Sequence, residues 1–182
     1  QLKLRGHRVG IVLRGYGARH TGAPRVVTAT DDPAEVGDEA LLHARRGPQV
    51  VVIGAARGAA VRLAAEQGAR IVVCDDGLQH LRLARDYEIA VVDAARGFGN
   101  RLLLPAGPLR EPASRVETVD AVVLARRSAS AESALEPRRP FVVEARFDTG
   151  PAVNLRSGER RELAVFRGTR VQALAGIGNP QA

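Results

Sequence analysis

Apolar runs recur along the chain at Val9 to Leu13, Val50 to Ile53, Ile71 to Cys74, Ile89 to Val92 and Ala121 to Leu124. They are rich in β-branched residues and nearly unbroken, the pattern of strands buried on both faces, and they predict a parallel sheet. Between two of them, Ala55 to Gln67 carries Ala, Leu and Arg at helical spacing and stops at Gly68, a natural C-terminal end for a helix. Strand, helix, strand is the α/β order. The texture changes after Ser128. Ser128 to Pro140 is small and polar, Phe141 to Phe147 alternates, and Val153 and Leu155 lead to a turn at Ser157-Gly158. A linker feeding an antiparallel ribbon is expected there, with Val171 to Ala175 returning as a strand. The organisation predicted is a core α/β domain over residues 1–127 and a linker, ribbon and returning strand over 128–182.

Composition adjusts this picture in few respects. At 182 residues and 45% hydrophobic content, the chain can bury one sizeable core. Its formal charge of +7 would suit an anionic partner. The basic residues are almost all arginine, with Lys3 the only lysine, in a chain also rich in Ala, Gly and Val, which is the signature of biased codon usage. Aromatic residues make up 3% of the chain, and no aromatic and basic stretch offers the stacking platform that single-strand nucleic-acid binders need. No nucleic-acid partner is expected, and no obligate protein partner is evident. Cys74 is the single cysteine, which excludes an internal disulfide and a cysteine-based zinc site. No apolar stretch approaches the roughly 18 residues of a membrane span, and no signal peptide is visible, so a cytoplasmic body is expected. The chain opens on Gln1, contains no methionine and closes on Gly178-Asn179-Pro180-Gln181-Ala182, and it reads as a piece of a longer protein.

In open α/β sheets ligands bind beyond the carboxyl ends of the strands, so polar residues directly after apolar runs are the first candidates. Asp75 and Asp76 follow Ile71 to Cys74 like a Walker B strand, whose carboxylate holds Mg²⁺ against nucleotide phosphates. The competing reading is that they cap the next turn. Asp93 repeats the pattern after Ile89 to Val92. Gly77-Leu78-Gln79-His80 then sets a flexible residue beside an amide and an imidazole that could orient water or phosphate. Asp38 and Glu39 stand at a predicted helix start behind Gly37, where acids serve either as caps favoured by the helix dipole or as a general base. Arg14-Gly15-Tyr16-Gly17 follows the first strand with a fork of donors and an aromatic face. Leu104 to Pro112 holds Pro105, Pro108 and Pro112, a rigid path presenting Arg110 and Glu111.

In this order and spacing the motifs resemble the tetraacyldisaccharide 4'-kinase family of the lipid A pathway. The resemblance is carried by Arg14 to Gly17, Val36-Gly37-Asp38-Glu39, Asp75 to His80, Asp93 with Gly97-Phe98-Gly99-Asn100, Leu104 to Pro112, and Ala175 to Pro180. It implies a P-loop-kinase-like α/β fold, with a mostly parallel sheet flanked by helices. It further implies an enzyme that moves the γ-phosphate of ATP, with Mg²⁺, to the 4'-hydroxyl of an acylated disaccharide 1-phosphate, the lipid A precursor. That enzyme would be peripheral on the cytoplasmic face of the inner membrane, held mainly by an N-terminal helix preceding the phosphate loop.

Carried over by resemblance, Asp38 matches the catalytic base and Glu39 its active-site neighbour. Asp75 and Asp76 match the metal carboxylates; Arg14, Tyr16 and Arg110 the substrate headgroup contacts; and Gln79, His80 and Glu111 the nucleotide side. The 182 residues contain no G-x-x-x-x-G-K-[ST] loop, and Lys3 lies in no such context. The family's assisting histidine would fall after Ala182, and Leu13 stands where the family usually has Ser. The segment alone is therefore expected to be inactive. The alternatives are a non-enzymatic basic α/β module binding anionic lipid or nucleic acid, and another P-loop kinase or GTPase, which would not account for the Leu104 to Pro112 run.

Overall fold

The computed structural model describes residues 2–47, 49–126, 141–146 and 150–172. The chain divides into two compact units, Gln1–Asp86 and Tyr87–Ala182. The boundary expected at 127/128 falls where residues 127–140 lie outside the described set.

In the first unit, β1 (Val9–Leu13), β2 (Arg25–Val27), β3 (Val50–Ile53) and β4 (Ile71–Cys74) form one sheet in the order β2-β3-β1-β4. β1 pairs in parallel with both β3 and β4, while β2 runs antiparallel to β3 along the other edge. The parallel register is what the apolar runs predict. β2 went unpredicted because three residues between polar loops give no readable period. β4 lies at the sheet's edge in this unit.

Two apolar clusters cover the two faces of this sheet. Leu13, Val27, Val51 and Ile53 pack with Val36, Ala40 and Leu41 of the short helix α1 (Pro33–Val36) and of α2 (Asp38–Arg45). Val12 and Val52 pack with Ala60 and Ala64 of α3 (Arg57–Glu66). The alternation of Leu13 and Val12 between clusters is the period-two geometry of a strand with both faces covered. At Gly10 an added Cβ would lie 2.9 Å from the Ala69 Cβ, so only glycine lets the chain after α3 approach β1 this closely. α3 ends as expected, with Gly68 at φ +87° donating its amide to the Ala65 carbonyl. It starts two residues later than the helical pattern, at Arg57.

The second unit holds β5 (Ile89–Asp93), β6 (Ala121–Arg126) and β7 (Val142–Arg146) as a separate, wholly parallel sheet in that order. Two expectations are corrected here. The apolar runs occupy two sheets and not one, and Val142–Arg146, read as the start of the antiparallel ribbon, is a parallel partner of β6. The ribbon itself is β8 (Ala152–Val153) against β9 (Arg160–Arg161), joined through Gly158 at φ +72°. Val171 and Gln172 lie in no strand, and residues 173–182, with the rest of the expected returning strand and the Gly176-Ile177-Gly178-Asn179-Pro180 motif, lie outside the described set.

Burial on both faces holds for β1 and β3 but not for β4 and β5, where Val73, Ile89 and Val91 are exposed. The described fold is nonetheless α/β with mostly parallel sheets, as the sequence predicts.

Candidate functional site

Parallel pairing puts the carboxyl ends of β1, β3 and β4 at one end of the first unit's sheet, and most sequence candidates leave from there. Leu13 is followed by Arg14-Gly15-Tyr16-Gly17, with Gly15 at φ +78° and Gly17 at φ +75° turning the chain and Tyr16 fully displayed. The loop is stitched to α1, as the amides of Arg19 and His20 donate to the Ala34 and Glu35 carbonyls at 2.9 and 3.2 Å. α1 itself begins as a capped turn, with Asp32 accepting the Ala34 amide and Pro33 at the first helical position.

Gly37 separates α1 from α2 at φ +86° and ψ 145°, and a Cβ there would stand 3.0 Å from the Tyr16 carbonyl oxygen. The backbone conformation and the close approach both require glycine, and together they fix the start of α2 beside the loop after β1. α2 runs back toward the start of β3, so its N-terminus lies at the same end of the sheet as the carboxyl end of β3. Asp38 and Glu39 open this helix with exposed side chains. Asp38 does not act as a cap in the usual sense: Gly37 holds the cap position, and one Asp38 carboxylate oxygen accepts the adjacent Glu39 amide at 2.9 Å. The helix dipole favours ionised acids at this turn.

Cys74 leads into Asp75, whose amide donates to the Val12 carbonyl at 3.1 Å and continues the ladder one residue past β4. Asp76 then adopts φ +53°, a left-handed conformation that aspartate tolerates better than most residues. Both carboxylates lie on exposed residues. Among the described residues no group of three or more His, Cys, Asp or Glu side chains is placed to hold a metal. Two aspartate carboxylates are oxygen donors of the kind that hard divalent cations take.

The residue that sequence reasoning missed is Arg57. It is only 4% exposed and sits at the first position of α3, after Gly54-Ala55-Ala56 at the carboxyl end of β3. Its Nη2 donates to the Asp75 carbonyl at 3.0 Å, while its Nε and Nη1 are buried with no hydrogen-bond partner among the described residues. Burial pulls the guanidinium pKa below its ordinary value, opposed by the neighbouring Cys74, Asp75 and Asp76 and reinforced by Arg14. Arginine nevertheless stays charged in proteins. The Cys74 thiol is pushed the other way, up, by its own burial, against Arg57 and Arg85.

Unsatisfied buried donors cost about 1–3 kcal/mol each. A guanidinium with such donors, as at Arg57, is suited to an oxyanion. A signal for it did exist in the sequence: a cation in the first turn of a helix opposes the macrodipole and calls for a reason.

In the second unit Asp93 is absorbed locally, its Oδ1 accepting the amides of Ala95 and Arg96 at 2.9 and 3.2 Å. The Leu104 to Pro112 run is a compact loop organised by Asn100, which donates to the Ala106 carbonyl and accepts the Leu102 amide. Gly107 is required there, because a Cβ would collide with the Leu102 carbonyl and Asn100 Oδ1. The Leu104-Pro105 peptide bond is cis. Arg110 is exposed, whereas Glu111 is half-buried and ion-paired with Arg115 at 3.3 Å. Arg115 in turn holds Glu88 at 2.7 Å, a hydrogen bond that raises its pKa.

The first unit is thus an α/β fold with acids and arginines at the carboxyl ends of its parallel strands. The fold matches a crystal structure of LpxK from Aquifex aeolicus in complex with ATP, at a TM-score of 0.65 and 28% identity, over 90% of this chain and 52% of that one. The family model for tetraacyldisaccharide-1-P 4'-kinase, LpxK, matches residues 1–182, and the chain belongs to that family. It is 49% identical over 181 residues to a tetraacyldisaccharide 4'-kinase of Pseudomonas aeruginosa, covering 98% of this chain and 52% of that protein. A Pseudomonas paraeruginosa relative of the same name is 48% identical over 182 residues. The chain thus spans about half the length of the curated relatives it matches.

Proposed function

We propose that a full-length protein carrying this segment transfers the γ-phosphate of ATP to the 4'-hydroxyl of a tetraacyldisaccharide 1-phosphate, and that these residues supply the acceptor side and the metal carboxylates. The acceptor oxygen bonds to the γ-phosphorus, the bond to the ADP oxygen breaks, and the hydroxyl proton passes to Asp38, with Glu39 beside it. Asp75 and Asp76 would hold Mg²⁺, which would offset the charge of the nucleotide phosphates. Within the first unit Gln79 and His80 would serve the nucleotide and Arg14 and Tyr16 the sugar headgroup, where an arginine fork suits a phosphate; Glu111 and Arg110 of the second unit take the same two roles by family resemblance alone.

The observation that carries this reading is Arg57, a buried guanidinium beside the Asp75-Asp76 turn with two donors that have no partner among the described residues. Its chemistry suits the oxyanion being transferred. Since the acceptor is a lipid, the reaction would take place at a membrane surface. Among the described residues no helix is long and apolar enough to cross one.

Phosphoryl transfer depends on positioning and charge stabilisation, and the 182 residues contain no glycine-rich loop with its lysine to cradle the phosphates. Incubating this chain alone with labelled ATP, Mg²⁺ and the acceptor should give no acceptor-dependent label above a no-protein control. Label on the acceptor would show that these residues suffice and would refute the assigned division of labour.

A further inference from the structure

The loop that carries Asp76, Gln79 and His80 folds back on itself. Gly77 packs against the end of β4 so closely that a Cβ would lie 3.1 Å from the Cys74 Cβ and 3.2 Å from its carbonyl oxygen. The His80 amide then donates to the Gly77 carbonyl at 3.0 Å, closing a tight turn. Folding back turns several carbonyls toward one point. Arg85 Nη1 lies 3.0, 3.2 and 3.2 Å from the carbonyl oxygens of Gly77, Leu78 and His80.

Converging carbonyl dipoles repel one another, and in a half-buried setting water screens this poorly, so a cation among them offsets the repulsion. On the other flank Arg57 takes the Asp75 carbonyl. The two guanidiniums therefore hold four carbonyls of the Asp75 to His80 loop. Arg85 touches this loop through its main chain at three points, and Asp76, in its left-handed conformation, sits directly before the first of them.

We propose that Arg85 is a positioning residue for the nucleotide and metal side of the site. Its guanidinium clamps the Gly77, Leu78 and His80 carbonyls and thereby sets the direction in which Asp76, Gln79 and His80 are presented. This rests on the assignment of Asp75 and Asp76 to Mg²⁺. The clamp acts through the loop that carries Asp76, Gln79 and His80, so its expected readout is the binding of Mg-ATP.

The test is steady-state kinetics on the full-length protein with Arg85→Ala and Arg85→Lys, combined with hydrogen exchange over residues 76–83. Hydrogen bonds to a charged donor suggest that Arg85→Ala raises the KM for Mg-ATP about 10-fold or more, with the acceptor KM unchanged. Exchange over 76–83 should accelerate, and Arg85→Lys, which keeps the charge and three donors, should recover most of both losses. A merely structural role would instead lower the melting temperature and the active fraction with both KM values unmoved. Should Arg85→Ala not fold, Arg85→Gln, with amide donors and no charge, must show the same KM rise and faster exchange.

Wild-type exchange and Mg-ATP KM in a folded Arg85→Ala or Arg85→Gln variant would overturn the clamp. Asp76→Asn in the same assay separates the two claims: wild-type Mg-ATP affinity there sinks the metal assignment, while exchange in the Arg85 variants still decides the clamp.

Discussion

Replacing Asp38 with alanine in a full-length protein carrying this segment should lower kcat by about 10² to 10⁴-fold and leave Mg-ATP affinity nearly intact. A general base meets the acceptor hydroxyl as its proton leaves, so its loss acts on the transition state and not on nucleotide binding. The structure adds a reason why the fold should survive the change. Asp38 is exposed, Gly37 holds the cap position, and among the described residues the carboxylate accepts only the neighbouring amide of Glu39. Removing it costs α2 at most a favourable dipole interaction of about 0.3–1 kcal/mol. Steady-state kinetics with a thermal melt would separate the outcomes. Near-full kcat in a folded variant would return Asp38 to the helix-dipole role and send the search for the base elsewhere.

Asp76→Ala should behave differently. A carboxylate that holds a shared cation contributes both to Mg-ATP binding and to stabilising charge in the transition state, so kcat should fall together with the apparent Mg-ATP affinity. The loss in kcat/KM is expected to be at least as large as for Asp38→Ala, on the order of 10³-fold or more. Asp76 also occupies φ +53°, where alanine is less at ease, so part of any effect could come from the turn. Asp76→Asn keeps the tolerance for that conformation and removes the charge, and it must reproduce the loss. If Asp76→Asn binds Mg-ATP as the unaltered protein does, the metal carboxylate is not Asp76.

What could be read from the sequence was local. A run of β-branched residues ending in Asp75-Asp76, a glycine before Asp38 at a helix start, and Gly158 in a turn are all decided by neighbours in the chain, and each element formed where its signal lay. What could not be read depends on contacts made elsewhere. Val142–Arg146 alternates as a half-exposed ribbon strand would, and its parallel pairing with β6 is set by a crossover that no periodicity encodes. The exposure of Val73, Ile89 and Val91 has the same origin, because an apolar run records what a strand can bury and not what packs against it. Arg57 is the sharpest case. On a helical pattern it reads as a solvated charge, and only the packing of α3 against β1 and β3 reveals a guanidinium buried at the end of the sheet. Glu111 is the converse: its placement beside Arg115 and Glu88 shows an ion-pair network that spacing alone did not suggest.

The central claim is that the ends of β1, β3 and β4 serve a phosphoryl transfer to a sugar hydroxyl. The most direct test is to incubate the full-length protein with ATP, Mg²⁺ and tetraacyldisaccharide 1-phosphate and to locate the new phosphate by phosphorus NMR and mass spectrometry. The account predicts one added phosphomonoester, on the 4'-hydroxyl, formed in step with ADP and abolished when Mg²⁺ is chelated. ATP consumption that does not depend on the acceptor, or a phosphate placed at any other position, would contradict it.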